Sequence, residues 1–464
     1  MSLDPVGAGE GTAVMPEAVT TRIADYVVGL DYETLPEVVV ENAKAAIADT
    51  VGVALAAIGE PVGQQVLAYA RIESGCGDGV ILGSEVQTSC ELAALVNGTI
   101  AHALDFDDRG HSSTHTLGAA LALSRRAPLS GRDLIVAYVA GREVRMHFDE
   151  VFDRGRFDPG GGTPGSWGWH ATGLFGSFGS VATAARALRL DAQQTAYALG
   201  IAASLASGVI ANFGTMTKPL HAGNAARNGV LSALLAQQGW NSDLDVFSAS
   251  KGFTDAVTGG RRAQDPSEVA DNLNAWFHMA DRGIRVKPYP SCSGSHPYIE
   301  ATRNLLRRTA VPLEQIAHLV LPTRPSLNRE YPRDALQTKF SGGFTVVATL
   351  ITGQVSMETC TESFRARPDV QQLMDKVVYV QGGERAVTIE LADGEVLREP
   401  LPPVRNLDST GERREKFLSL TQPLVGAERA QGIADQIQRI EDVADISSLV
   451  GMCRLSTSHA GAPR

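Results

Sequence analysis

Cysteine is scarce in this chain. The five residues, Cys76, Cys90, Cys292, Cys360 and Cys453, are scattered, and none forms a C-x-x-C pair. An odd, dispersed set fits reduced thiols in a cytoplasmic protein better than a disulfide framework, and it lacks the spacing of a common iron–sulfur motif. Long apolar runs are missing as well, so no membrane span is expected. Positive charge is in deficit: 41 Lys and Arg against 52 Asp and Glu leave a net charge of −11. That balance argues against nucleic acid or an anionic membrane as partner, though it leaves room for a local cationic pocket. The stretch 1–18 has neither a basic segment nor an apolar one, so it reads as a loose lead-in rather than a secretory leader. There is no P-loop and no G-x-S-x-G elbow. The glycines at Gly7, Gly9 and Gly11 do not stand between a strand and a helix, which removes the dinucleotide fingerprint.

What is present is an ordinary globular composition, 44% apolar and 20% charged, over 464 residues. That length suits two domains. Residues 1–264 read as helical and rich in Ala and Gly. Ile23, Val27 and Leu30 keep helical spacing, and Thr34-Leu35-Pro36-Glu37 has the form of a capping box opening a helix that runs to about Ala57. Further helices are expected at 91–104, 117–124, 133–147, 171–188, 192–207 and 224–238. Small residues let their axes approach closely. The texture changes near Asp265. Short β-branched runs at 317–321, 376–380 and 387–391 appear, and Asp393-Gly394 is a two-residue hairpin signal before 395–397. Residues 265–405 therefore read as an α+β domain, with helices at 297–307 and 341–352. Residues 406–464 return to amphipathic helix and are expected to pack on the first part. The fold class is mainly α with a smaller α+β domain.

The chemistry concentrates in three segments. His102 to Thr116 holds Asp105, Asp107, Asp108, Arg109, His102, His111 and His115, while the whole chain has only ten His. Such density suits proton transfer or metal binding better than a solvated charge run. His111 and His115 have the spacing of a two-His metal face on a helix, but the Ser-Ser-Thr between them is helix-start composition, so a metal is not expected. The polar residues here are also compatible with capping the helix near Leu117. The second segment is Gly214 to Gly229. Lys218 and His221 stand ahead of a helical run, where the macrodipole disfavours a cation unless an anion sits between. The third is Lys287 to Ala301. Ser291, Ser293, Ser295 and His296 precede a helix whose free N–H groups suit a carboxylate. His170, beside Trp167 and Trp169, follows a Gly/Pro-rich stretch at 149–169 that suits a lid. Taken singly, Lys218 reads equally as a loop lysine and Lys287 as part of a rigid turn. Together the segments suggest one composite pocket.

These segments resemble the MmgE/PrpD family, which includes 2-methylcitrate dehydratase, cis-aconitate decarboxylase and iminodisuccinate epimerase. The resemblance spans nearly the whole chain. It rests on LPEVVVENAKAAIADTVGVALA near the start, NGTIAHALDFDD, GWH at 168–170, GTMTKPLHAGNAARNG, VKPYPSCSGSHP, Asn-Arg at 328–329 and REKF at 414–417. It implies a large helical domain, an inserted α+β domain, a site between them and a homodimer. It implies action on small di- or tricarboxylates without metal or organic cofactor. It places functional residues at Asp105, His111, His115, His170, Lys218 and Lys287. Two positions depart from the pattern: Arg109 stands where many members carry Thr, and Ser326 or Leu327 where many carry Tyr.

The resulting expectation is a cofactor-independent lyase. Asp105, His115, His170, Lys218 and Lys287 are read as catalytic. Arg109, His111, His221, Ser293 and His296 are read as substrate-binding. Dehydration of a hydroxy-polycarboxylate is the first reading. Decarboxylation of the cis-aconitate type is the second, and epimerisation by α-proton transfer uses the same groups. A non-catalytic carboxylate-binding homologue is the alternative from another class, and a metal-dependent hydrolase is a third option.

Overall fold

The computed structural model describes residues 18–456, apart from 74, 76, 154–161, 262–263, 325, 328–329 and 383. Two apolar cores organise them. The larger gathers helical residues from Val19 to Val286 and takes up the chain again from Leu407 to Leu455. The smaller runs from Tyr289 to Leu391 around a sheet. The texture change at Asp265 therefore does not coincide with the change of core. Val269, Ala270, Leu273, Met279, Ile284 and Val286 still belong to the helical body, and the core changes only between Val286 and Tyr289.

In the body, the Cys90–Ala103 helix lies against both Ser112–Leu123 and Thr217–Gln237. Glycine makes these crossings close. A Cβ at Gly223 would stand 2.1 Å from Thr99 Oγ1 and 2.3 Å from the Leu95 carbonyl, and one at Gly98 would meet the Ala222 carbonyl at 2.8 Å. The backbones thus touch, and this contact carries the ends of the two helices, with His102 and Lys218, into reach of each other.

Several element boundaries differ from the sequence reading, and tertiary partners explain them. The Ser112–Leu123 helix starts five residues before Leu117, because the Asp108 carboxylate caps it from outside, accepting from Ser113 N at 3.2 Å and Ser112 Oγ at 3.3 Å. The Thr217–Gln237 helix starts well before Asn224 and takes Lys218 into its first turn. The expected Ala171–Leu188 helix is two pieces, Ala171–Leu174 and Gly176–Leu188. The Thr34 capping box does not form. Thr34 ends a 3₁₀ turn, its hydroxyl donates to the Asp31 carbonyl at 2.8 Å, and Pro36 precedes the Glu37–Ala57 helix without a side-chain bond.

The smaller core packs the His296–Arg308 and Gly342–Thr352 helices together beside a four-stranded sheet of order β2-β1-β3-β4. Its strands are β1 (Ile316–Pro322), β2 (Val377–Val380), β3 (Ala386–Leu391) and β4 (Val396–Pro400). β1 pairs parallel with β2 and antiparallel with β3, with Leu319 opposite Val377 and Ile389. The β3–β4 hairpin turns at Asp393-Gly394, where Gly394 takes φ 91°. The chain then returns to the body through the helices Thr410–Val425 and Ala427–Gln438, divided at Gly426, and the short helix Ser447–Met452. The first docks on Glu37–Ala57, with the Phe417 ring over Gly52. Among the described residues no single helix is long and apolar enough to cross a membrane.

The Gly98–Gly223 crossing generates a prediction. Gly223→Ala should lower stability by roughly 2 kcal/mol or more, the scale of overpacking against fixed backbone. Urea unfolding reads it directly. An unchanged midpoint would mean that the two helices separate at no cost.

Candidate active site

The site is built around Asp105, just past the end of Cys90–Ala103 and in the left-handed region at φ 50°. Its side chain is buried between two ammonium groups. Lys218 Nζ donates to Oδ2 at 2.8 Å, and Lys287 Nζ donates to Oδ1 and, at 2.7 Å, to the Asp105 carbonyl. Burial pushes the Asp105 carboxyl up, but Lys218 and Lys287 outweigh it and hold it well below the usual carboxylate range. Lys287 is raised despite burial, chiefly by Asp105. The anion that Lys218 requires at its helix start is thus supplied by the chain itself. Lys218 also lies near the faces of Phe213 and Phe340, 5.3 and 5.2 Å from the ring centroids.

Asp107 organises a second layer. His102 Nδ1 lies 3.0 Å from Oδ1 and His111 Nδ1 2.6 Å from Oδ2. An ionised carboxylate only accepts, so both imidazoles carry their hydrogen on Nδ1. Lys218 Nζ stands 3.0 Å from His102 Nε2, which accepts from it and fixes the same tautomer. His111 Nε2 is left as a lone-pair acceptor. His111 is also the more reachable ring, with 17% of its side chain exposed against 0% for His102. Like Asp105 it is left-handed, at φ 60°. Two such non-glycine residues in one loop store strain of about 1–3 kcal/mol each, as functional loops often do. His102, Asp107 and His111 are also the one group of metal-ligand type among the described residues. Ligands around a tetrahedral ion stand about 3.4 Å apart. The 3.0 and 2.6 Å separations are hydrogen bonds, so the trio as arranged does not fit an ion.

His170 and His221 form a third unit, Nδ1 to Nδ1 at 2.9 Å, and the His170 ring lies 6.4 Å from that of His102. Gly208 accepts from His170 N and Trp169 pairs with Val209, which fixes this turn. The lid read at 149–169 falls partly outside the described residues. His115 does not join these contacts. It is fully buried, with Nδ1 3.1 Å from Ser180 Oγ and Nε2 without a partner among the described residues.

Arg109 is half-buried and meets neither Asp107 nor Asp108. Its N–H donates to the Arg285 carbonyl, and Nη1 reaches Asn406 Oδ1 at 3.4 Å. Burial and the neighbouring Arg285 push its guanidinium down to about 10. At the carboxylate cradle expected over Ser293–His296, several donors are taken up within the turn itself. Ser291 and Ser295 hydroxyls bond each other at 2.8 Å, and the N–H groups of Ser295, His296, Tyr298 and Ile299 go to carbonyls of the same turn. Ser293 contributes only its carbonyl there. His296 is buried beside Lys287, with Nε2 on the Ser291 carbonyl at 3.2 Å.

Sequence reasoning left several residues out. His102 and Asp107 stand in the 102–116 run, but the sequence assigns neither of them a catalytic or substrate-binding role. Lys339 donates to the Leu104 carbonyl at 3.2 Å, and Lys416 to the Phe106 carbonyl at 2.6 Å. Both are buried. Only the position of Lys416 within REKF hinted at importance.

Burial dominates the imidazoles. It pushes His111 down to about 3 and His221 to about 4, and lowers His102 and His170, with Lys218 adding to the effect in the last two. All are neutral at pH 7 without ligand. A bound polycarboxylate would add negative charge and lift them again.

The arrangement is a buried cluster of carboxylates, ammonium groups and imidazoles, the class of groups that moves protons. The chain belongs to the MmgE/PrpD family, its N-terminal domain matching at residues 21–265 and its C-terminal domain at 289–442. It is similar to cis-aconitate decarboxylase of Mus musculus, 27% identical over 95% of this chain and 94% of that one. The Homo sapiens cis-aconitate decarboxylase is 26% identical over 95% of each. A cis-aconitate decarboxylase-like protein of Aspergillus oryzae is 28% identical over 94% of this chain and 97% of its own.

A pH prediction follows from the lowered imidazoles. His111, His221 and His296 titrate near 3 to 4 when folded and about 6.5 when unfolded. The unfolded chain therefore binds more protons between these values. Stability is full above about pH 6.5 and declines as pH falls, by up to roughly 1.4 kcal/mol per unit for each ring. The melting temperature should stay level from pH 7.5 to about 6.5 and drop from there to pH 5. A flat profile down to pH 5 would mean that the rings titrate near 6.5 in the folded protein too.

Proposed function

We propose that this protein is a cofactor-independent lyase for a small polycarboxylate, and that decarboxylation of the cis-aconitate type is its reaction. The observation that carries the reading is the cationic centre of Lys218 and Lys287, with a single carboxylate between them and imidazoles of fixed tautomer around it. Lys218 and Lys287 share the Asp105 carboxylate, and a substrate carboxylate is an alternative partner of the same chemistry for either ammonium group. Similarity to cis-aconitate decarboxylases supports decarboxylation as the first reading here, with the dehydration read first from the sequence kept as the second.

The chemistry is consistent with these groups. The substrate's retained carboxylates are held by the lysines. The bond to the departing carboxylate breaks, carbon dioxide leaves, and the electron pair spreads through the adjacent double bond toward a retained carboxylate. Fixed cations stabilise that charge as it develops. An imidazole, charged once the anionic substrate has bound, returns a proton to carbon. Dehydration is the second reading. The two separate imidazole pairs, one on Asp107 and one at His170–His221, supply a base for the α-proton and an acid for the departing hydroxyl.

The test is incubation with a panel of citrate-like acids in deuterated water, followed by proton NMR. Loss of carbon dioxide from cis-aconitate with one deuterium gained supports the first reading, and loss of water from a hydroxy acid supports the second. Inertness towards the whole panel would sink both. On the acid that is turned over, Lys218→Ala should lower kcat/KM by roughly a hundredfold or more. It should also lower the melting temperature, because Asp105 loses one of its two partners. A variant with near-normal turnover would remove Lys218 from the chemistry.

Arg109 is proposed to read a substrate carboxylate. Its guanidinium forms no ion pair with a described residue, and its planar fork suits bidentate binding. Arg109→Thr should raise KM and reorder the preferred acids. An unchanged ranking with unchanged KM would leave Arg109 a purely structural residue at Asn406.

A further inference from the structure

Three lysines from three parts of the chain grip three consecutive carbonyls of the catalytic loop. Lys339 of the smaller domain donates to Leu104 O at 3.2 Å, Lys287 to Asp105 O at 2.7 Å, and Lys416 of the returning helix to Phe106 O at 2.6 Å. Lys287 also touches the Asp105 side chain. Lys416 differs from it in hydrogen-bonding only the backbone of the loop. Its Nζ lies 3.8 Å from the centroid of the Phe106 ring and 2.6 Å from Asp49 Oδ1. Asp49 is buried in the Glu37–Ala57 helix, one turn before Gly52, which receives the Phe417 ring. The Lys416-Phe417 pair thus plugs into one helix face and presents an ammonium to the loop.

The direction of this contact matters. Phe106 lies between Asp105, whose carboxylate faces Lys218 and Lys287, and Asp107, whose carboxylate faces His102 and His111. Holding the Phe106 carbonyl fixes the peptide plane between Phe106 and Asp107 and so limits the rotation that would carry either carboxylate away. The left-handed Asp105 gives this loop a reason to relax, so a restraint is needed.

We propose that Lys416, held by Asp49, is a positioning residue of the active site, setting Asp105 and Asp107 through the Phe106 carbonyl. The proposal rests on the lyase reading for its activity readout, and a second readout does not need that reading. The full-length protein is compared with Asp49→Asn, Lys416→Met and the double variant. Melting temperature, kcat and KM on the acid that the unmodified protein turns over, and the two-bond nitrogen–proton NMR signals of the His102 and His111 rings are measured for each.

Each single variant should melt lower, because it leaves one buried partner alone. The double variant removes both charges and should regain most of the lost melting temperature. Its kcat should stay at least tenfold down with KM changed less than threefold, and the two rings should lose the uniform Nδ1–H pattern. Recovery of melting temperature, turnover and ring signals together would overturn the proposal and make the Asp49–Lys416 pair a purely structural anchor. If the unmodified protein turns over no acid, the lyase reading fails by itself, and the ring signals still decide whether Lys416 positions the loop.

Discussion

The placement of Asp105 between Lys218 and Lys287 is the constraint from which the rest of the site follows. Two ammonium groups have been taken out of water, and one carboxylate faces them. Such a buried arrangement is not an economical source of stability, since apolar side chains of similar volume often do as well or better. Its value lies in what it fixes. Lys218 comes from the helical body, and Lys287 from the segment where one core gives way to the other. Asp105 therefore joins the elements that carry them, through charged groups rather than apolar ones.

The run Asp105-Phe106-Asp107-Asp108 shows how four adjacent residues take four tasks. Asp105 meets the lysines, the Phe106 carbonyl meets Lys416, Asp107 orients two imidazoles, and Asp108 caps the next helix. The environments separate the carboxylates electrically. Asp105 and Asp107 are held well below the usual range by cations and imidazoles that outweigh their burial. Asp108 is raised, by burial first and then by the nearby Asp107. Three acids of the same type thus behave as a counter-ion, an orienting acceptor and a cap.

Much of this was legible in the sequence, for identifiable reasons. Ala- and Gly-rich helices announce close packing, and Asp393-Gly394 announces its hairpin, because both signals act through the backbone alone. The three polar segments were readable because Lys and His are costly to bury without a purpose. The helix starts at Ser112 and Thr217 were not readable, since Asp108 and Asp105 stabilise them from outside the helix. His102 was passed over because it ends an Ala-Leu-rich helix, where a histidine looks like core. Lys339 and Lys416 stand in ordinary polar surroundings in the sequence, and only the fold turns them inward. The Ser-rich turn misled in the opposite direction. The Ser291 and Ser295 hydroxyls bond each other and several N–H groups donate to carbonyls of the same turn, which composition does not reveal.

The imidazoles give the site a dependence on ligand charge. A histidine with its ordinary pKa would carry protons near neutral pH whatever was bound. Here burial, reinforced by Lys218, keeps the rings neutral. A neutral ring with its hydrogen on Nδ1 can accept a proton at Nε2, but it has little acidity to offer. Protonation becomes favourable when further negative charge enters beside it. A substrate with two or three carboxylates brings that charge, and one with a single carboxylate brings less. On the proposed lyase reading, the burial that keeps the rings neutral would link their acid function to a polyanionic ligand. Selectivity for polycarboxylates would then arise in the proton-transfer step as well as in binding, because the acid would be generated by the charge of the molecule it acts upon.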